Sequence, residues 1–261
     1  MTMQYDNRIV LFLDILGFRK HVMDTIQKDK NSNELIDDEI KVKALYDTLS
    51  KMGDIAGVNG NQDKIKVTQF SDSIVISFVE DSPSNASTVF EIILKIITHL
   101  ISQEIICRGA LSYGKFIHDS RILFGPALVD AYETESKAAM YPRVIMDRKI
   151  YDYSRMHFDK KNENTYIPDG ISDYLKLDLD GKYYLDYFSA APRVIKDETE
   201  IISYYKTLRE IIINGRRFEQ PDLKVKYGWL RMKYNKFLDN LSQENTNPRT
   251  FNYLSKLKRL K

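Results

Sequence analysis

The sequence predicts an α+β fold: one mixed, mainly antiparallel sheet with helices packed over it, followed by a helical extension at the C-terminus. Three observations carry this expectation. Residues 8–16 (RIVLFLDIL) form a β-branched run that is apolar on both faces, as a central strand covered on each side should be. Further strand-length runs of β-branched and aromatic residues are interleaved with longer stretches whose apolar residues recur at helical spacing, so strands and helices share one core. From residue 197 onward only the helical period remains.

Taken in order, Gly17 ends the first strand, and two helical segments follow at about 18–28 and 33–52, separated by the polar loop 28–32. In the second, Leu35, Ile36, Ile40, Leu45 and Leu49 are expected to form an inward stripe. Residues 58–61 (VNGN) read as a turn. The strands 64–70 and 74–79 then meet at Ser71-Asp72-Ser73, which reads as a hairpin. A helix over 85–104 buries Val89, Ile92, Ile93, Ile96, Ile97 and Leu100. A strand at 106–116, a helix at 125–139 and a strand at 142–147 complete the order β-α-α-β-β-α-β-α-β. Residues 157–180 read as a polar insertion, and helices are expected at 197–214, 221–242 and 248–260. The chain thus divides into a sheet-bearing domain at 1–150, connecting strands with an insertion at 151–196, and a basic helical extension at 197–261.

Composition narrows the function. Gly (11) and Pro (7) are scarce among 261 residues, which excludes collagen-like and low-complexity chains. The single Cys107 can form neither an internal disulfide nor a thiolate metal site, so a reducing cytoplasm is expected. The four His residues show no H-E-x-x-H spacing, which argues against a zinc enzyme, and none is given a role. Residues 201–261 hold 14 Lys/Arg and 5 Asp/Glu, a net +9, whereas the remaining 25 basic and 32 acidic residues give −7. Those basic residues alternate with apolar ones at helical spacing, so they read as solvated helix faces, and nucleic acid is not the expected partner. No membrane segment is expected. Asp14 stops the first apolar run, and Glu91, Lys95, His99 and Glu104 interrupt the stretch 89–105.

Two carboxylates stand out. Asp14 interrupts an otherwise apolar central strand, where an unpaired charge costs several kcal/mol, roughly, unless something pairs it. It could cap the next helix, or it could hold a metal. Asp72 lies at a hairpin turn, where Asp is common for local hydrogen-bonding reasons. If the hairpin pairs beside the first strand, strands about 4.8 Å apart bring both carboxylates to one place. Such a pair can bracket two divalent cations at the roughly 3.5–4 Å separation used in phosphoryl transfer.

These residues carry a family resemblance. The string Phe12-Leu13-Asp14-Ile15-Leu16-Gly17-Phe18 resembles the first metal-binding motif of the class III nucleotidyl cyclases, and Thr68-Gln69-Phe70-Ser71-Asp72-Ser73 resembles the second. Arg108-Gly109-Ala110-Leu111-Ser112-Tyr113-Gly114 is similar to the strand that follows. The segment Phe124-Gly125-Pro126-Ala127 through Ala131 and Glu135, running into Pro142-Arg143-Val144, completes a set that spans about residues 8–147. The wording is most similar to the pyrimidine cyclases of Pycsar antiphage defence, as is the later Lys226-Tyr227-Gly228-Trp229-Leu230 with Tyr234-Asn235.

The resemblance implies a cyclase sandwich over residues 1–150 and conversion of a nucleoside triphosphate to a 3′,5′-cyclic monophosphate and pyrophosphate. It implies two Mn²⁺ or Mg²⁺ ions held by Asp14, Asp72 and the Ile15 carbonyl, with phosphates cradled by the amides of Leu16, Gly17 and Phe18. It also implies a head-to-tail homodimer with shared sites, and a cyclic nucleotide that signals to a separate effector. The sequence departs from purine-using cyclases where they carry Asn and Arg: Val129 and Glu133 stand there. Arg108 and Arg143 are the candidates to stabilise the transferring phosphoryl group, with an ion pair as the alternative reading of each. Where purine cyclases read the base with Lys or Glu stands Thr68, too short for a purine edge, so a pyrimidine is favoured. A hydroxyl both donates and accepts and does not separate uracil from cytosine, and UTP is placed ahead of CTP on the family resemblance alone. The competing readings are a degenerate, non-catalytic nucleotide-binding domain and a purine cyclase.

Overall fold

Strand β1 (Asp6–Ile15) is the centre of the sheet, and the rest of the chain is arranged by what covers its two faces. The computed structural model describes residues 4–29, 34–57, 64–79, 85–152, 171–241 and 247–261. After β1 come α1 (Phe18–Met23), a small ribbon of β2 (Ile26–Lys28) and β3 (Leu35–Asp37), and α2 (Glu39–Ala56). The hairpin is β4 (Ile65–Phe70) and β5 (Ser73–Val79), followed by α3 (Asn85–Ser102) and β6 (Cys107–His118). Then follow β7 (Leu123–Phe124), α4 (Pro126–Ala138) and β8 (Val144–Met146). Next are α5 (Ile171–Tyr174), β9 (Leu175–Leu177), β10 (Tyr183–Leu185) and α6 (Ala191–Val194). The chain closes with α7 (Glu198–Gly215), α8 (Pro221–Asp239) and α9 (Pro248–Leu254).

The main sheet runs β4-β5-β1-β6-β8-β10-β9, with β7 paired to β6. Among the described strands only β6 and β8 pair in parallel, and α4 provides the crossover such a pair needs. The expected α+β architecture, with a mixed and mainly antiparallel sheet, is the one observed.

Register decides which side chains share a face, because directly opposed residues point the same way. Asp14 opposes Ser73 and Arg108, Phe12 opposes Val75 and Ala110, and Val10 opposes Ser77 and Ser112. These residues face α4, whose Ala127, Ala131 and Glu135 turn inward. Ile9, Leu11, Leu13 and Ile15 take the other face and pack with α2, α3, α7 and α8. Gly109 permits this: a Cβ there would lie 2.5 Å from the Phe12 carbonyl oxygen, so β1 and β6 meet only because it is absent.

The C-terminal helices belong to the same core. The Tyr204 and Tyr205 hydroxyls of α7 donate to the carbonyls of Tyr187 and Phe188, each at 2.8 Å. Trp229 is buried in α8, as an anchor should be. β9 and β10 extend the sheet beside β8, so part of 151–196 continues it.

The region after β1 departs from expectation. The helix at 18–28 stops at Met23, and 26–28 pair with 35–37 as strands. Asp38 marks where α2 begins, because its carboxylate caps the Lys41 amide. Leu35, Ile36 and Ile40 are therefore exposed, and the buried stripe is Thr48, Met52 and Ala56, with Leu45 and Leu49 half-buried. The turn expected at 58–61 and residues 157–170 of the insertion lie outside the described residues.

Candidate active site

Asp14 is the penultimate residue of β1, and its carboxylate sits at the open end of the α4 face, 19% exposed. The β4–β5 turn reaches the same place. Ser71 takes a left-handed φ of 53°, and the Ile15 amide donates to the Asp72 carbonyl at 2.9 Å. The hairpin tip is thereby fastened to the end of β1, with Asp72 half-buried beside Asp14. Burial raises the pKa of Asp14, and the charge of Asp72 adds to the rise; the Arg108 hydrogen bond and the Lys226 charge act against it.

Arg108 is shared by two acids. Its Nε donates to Asp14 Oδ2 at 3.1 Å and lies 2.7 Å from Glu135 Oε1. The Glu135 contact is charge attraction without an aligned N–H, since Oε1 has no directed donor among the described residues. Burial raises the pKa of Glu135, Arg108 lowers it and Asp14 raises it further. One guanidinium thus serves two carboxylates, and with Asp72 nearby the negative charge is in excess.

That excess suits a divalent cation. Among the described residues only Oδ2 of Asp14 has a donor, which leaves Oδ1 available, and both aspartates offer hard oxygens. No group of three or more His, Cys, Asp or Glu that could hold a metal occurs among the described residues. Two carboxylates suffice where substrate phosphates complete the coordination, as is usual for Mg²⁺.

The phosphate-cradling amides are fewer than expected. The Leu16 amide donates to the Ile106 carbonyl at 2.9 Å, because the chain still follows the sheet at that residue. Gly17 turns left-handed at φ 74°, and its amide and that of Phe18 have no protein acceptor among the described residues. A cavity of about 700 Å³ opens beside Gly17, with Lys20, His21, Tyr227 and Lys226 in its wall.

Thr68 lies on β4 opposite Val75, on the same face as Asp14, and its hydroxyl is 2.8 Å from His118 Nε2. Arg143 lies elsewhere. It is 1% exposed, paired with Asp178 and Asp180, and covered by the Tyr141 ring at 4.9 Å. Asp178 also accepts from Trp229 Nε1 at 2.8 Å and Lys233 Nζ at 2.6 Å. Arg143 is committed to a structural ion pair and does not join Asp14 and Asp72.

Three residues gain a place here that sequence reasoning did not give them. Glu135 faces inward beside Ala127 and Ala131 at a spacing of four, a signal readable on a helix. His118 shares parity with Arg108 along β6, and counting by twos puts it on the site's face. Lys226, whose ammonium pairs with Asp222 at 3.3 Å, lends its charge to the surroundings of Asp14 from more than two hundred residues away, and nothing local announces it.

No known family model and no curated protein sequence matches the chain. Its fold is similar to that of the adenylyl cyclase CyaB from P. aeruginosa, at 17% identity over 71% of this chain and 96% of that one, with a TM-score of 0.46. It is also similar to a bacterial light-regulated adenylyl cyclase, at 14% identity over 80% of this chain and all (100%) of that one, TM-score 0.43. A third is the catalytic core of a rhodopsin-guanylyl cyclase with converted specificity in complex with ATPalphaS, at 16% identity over 70% and 96%, TM-score 0.41. The chemistry has to be read from the side chains.

Proposed function

We propose that the chain is a nucleotidyl cyclase that converts a pyrimidine nucleoside triphosphate, UTP ahead of CTP, into its 3′,5′-cyclic monophosphate and pyrophosphate. The observation that carries this reading is the junction of Asp14 with Asp72 through the Ile15-to-Asp72 backbone bond. Two adjacent carboxylates with too little positive charge around them fit a cation-dependent phosphoryl transfer. Mg²⁺ or Mn²⁺ bound by Asp14, Asp72 and the Ile15 carbonyl would supply activation of the ribose 3′-hydroxyl and neutralisation of the triphosphate.

The chain's own residues do the positioning. Arg108 holds one oxygen of Asp14 and so fixes the direction of the other. The Gly17 and Phe18 amides meet phosphate oxygens, and Lys226 adds positive charge nearby. In the step itself the 3′-oxygen bonds to the α-phosphorus and gives up its proton to solvent water. The bond from that phosphorus to the bridging oxygen breaks, and pyrophosphate leaves with the electron pair. Thr68 faces the base, where its short side chain suits a pyrimidine.

The site is completed by a second copy. Val129 and Glu133 supply no cation, and α4 leaves Val129 and Tyr132, each 55% exposed, uncovered on the site's side of the sheet. A head-to-tail homodimer covers them and forms two equivalent sites. By the family resemblance, the product is a defence signal read by a separate effector.

The test is incubation with each of the four triphosphates and Mn²⁺, with the products separated by chromatography. Cyclic UMP as main product is expected; ATP or GTP cyclised about tenfold better than UTP and CTP, roughly 1.4 kcal/mol in barrier, refutes the pyrimidine reading. The double engagement of Arg108 favours one second reading, a domain that binds nucleotide without turnover. Saturable triphosphate binding with no pyrophosphate release identifies it.

A further inference from the structure

A buried polar chain crosses the α4 face from Arg8 to Thr68. Arg8 Nε donates to Ser77 Oγ at 2.9 Å, and its Nη2 donates to the carbonyls of Ser77 and Lys64, each at 3.2 Å. Ser77 Oγ lies 2.8 Å from His118 Nδ1, and His118 Nε2 lies 2.8 Å from Thr68 Oγ1. Lys66 Nζ donates to the His118 carbonyl at 2.6 Å. Arg8, Ser77 and His118 are all 4% exposed or less.

The protons of this chain can be assigned because one end can only donate. Burial, with the charges of Arg8 and Lys66, lowers the His118 pKa to about 4 against the opposing pull of Asp119. The ring is therefore neutral, with one N–H and one lone pair. Suppose the proton sat on Nδ1. It would donate to Ser77, and the Ser77 proton would then need an acceptor, which Arg8 cannot be. Among the described residues the Ser77 hydroxyl has no partner besides Arg8 and His118. Leaving its proton unpaired at that depth is costly, because a buried donor loses its water without gaining an acceptor. Ser77 therefore donates to Nδ1, the ring proton sits on Nε2, and Thr68 Oγ1 accepts it. The proton of Thr68 itself is left over, pointing away from the relay.

We propose that the Arg8–Ser77–His118 relay holds the Thr68 hydroxyl as a hydrogen-bond donor towards the substrate base, so that the group read there is a carbonyl acceptor and uracil is preferred to cytosine. This rests on the cyclase reading, in which Thr68 faces the base. Uracil carries a carbonyl where cytosine carries an amino donor, and a donor facing that amino group finds nothing to pair with. His118 and Ser77 are positioning residues that act through Thr68.

The test begins with ¹⁵N NMR of the wild-type His118 ring at neutral pH, which does not depend on turnover. A protonated Nε2 with a bare Nδ1 is expected; a protonated Nδ1 overturns the proposal whatever the enzyme cyclises. Ser77→Ala then removes the donor to Nδ1, and the ring proton redistributes between the two nitrogens. The UTP-over-CTP ratio of kcat/KM is expected to fall roughly three- to tenfold, the range of one hydrogen bond. An unchanged ratio alongside a redistributed ring proton overturns the proposal. If Ser77→Ala does not fold, the wild-type ring spectrum still decides where the proton sits. A wild type with protonated Nε2 that cyclises no triphosphate refutes the cyclase reading instead, so the two failures are told apart.

Discussion

The two faces of the central sheet are built from the same strands and bury different things. On the face towards α2 and α3, β1 contributes Ile9, Leu11, Leu13 and Ile15, and the neighbouring strands and helices add aliphatic and aromatic side chains. On the face towards α4, the alternating residues of the same strand are Arg8, Val10, Phe12 and Asp14, and only a small apolar cluster forms around Val10 and Phe12. The first face owes its strength to area removed from water. The second carries buried ionisable groups that destabilise unless each is paired, a burden proteins keep where chemistry needs it. A strand of period two can serve both ends at once, and β1 does.

The difference can be broken most severely at Asp14 and Asp72. Asp14→Asn or Asp72→Asn is expected to lower turnover by at least 10²–10³-fold, on the order of the loss of one transition-state contact. Because burial raises the Asp14 pKa, its charged form is disfavoured in the fold at neutral pH. Asp14→Asn should therefore leave the melting temperature unchanged or raise it. Thermal scans beside a pyrophosphate-release assay check both halves, and near-normal turnover by either variant sinks the assignment.

The opposite pattern is expected on the other face of the same strand. Leu11 is fully buried on the apolar face, and Leu11→Ala should cost roughly 2–5 kcal/mol in urea unfolding. Turnover per folded molecule should stay near wild type. A large loss of specific activity with little loss of stability would show that the faces are not separable in this way.

His118 sharpens the comparison through pH. Its native pKa is about 4, below the ordinary value of 6.5, so between those values the unfolded chain binds more protons. Stability therefore falls as pH drops from about 6.5 towards 4, by up to roughly 3 kcal/mol from this group. His118→Gln should flatten that part of the profile. His21 and His99 shift in the same direction but are present in both proteins, so the difference between the curves isolates His118. Parallel curves would contradict a neutral, buried ring.

The smallest effect is expected at the rim. Val129→Glu places a charge on the exposed flank of α4 and should weaken dimerisation about tenfold, or 1.4 kcal/mol. Sedimentation across a dilution series, with specific activity followed in parallel, measures it. Activity that persists in a species that is monomeric throughout would refute the shared site.

What the sequence disclosed follows the same division. The apolar face was legible, since β1, the hairpin and the buried stripe of α3 all rest on uninterrupted periodicity. Asp14 stood out as a charge in an apolar strand, whereas Asp72 at a turn was ordinary by itself and drew notice only through the expected pairing of the hairpin with β1. The cross-chain partners were not. Arg143 matched Arg108 as a candidate cation until Asp178 and Asp180 were seen beside it, and those arrive from a segment 35 to 37 residues later. The Leu16 amide is withdrawn by a backbone bond that no side chain signals. His118 had no local partner because its partners are 41 and 50 residues away. The ribbon at 26–37 was missed because Leu35 and Ile36 suit a helix as well as a strand, and only the Asp38 cap tells them apart.

The ion pair of Arg143 also has a meaning in time. Its partner Asp178 is held by Trp229 and Lys233, and both come from α8, close to the end of the chain. A ribosome that has released only the first 150 residues has exposed every residue of the Asp14–Asp72 junction, yet Arg143 then has none of these acids to meet. Burying that guanidinium unpaired is unfavourable, so closing the sheet at β8 requires at least that Asp178 and Asp180 be present to pair with it. The burial of Arg143 thus ties the half of the sheet that holds Asp14 and Asp72 to residues made much later in the chain.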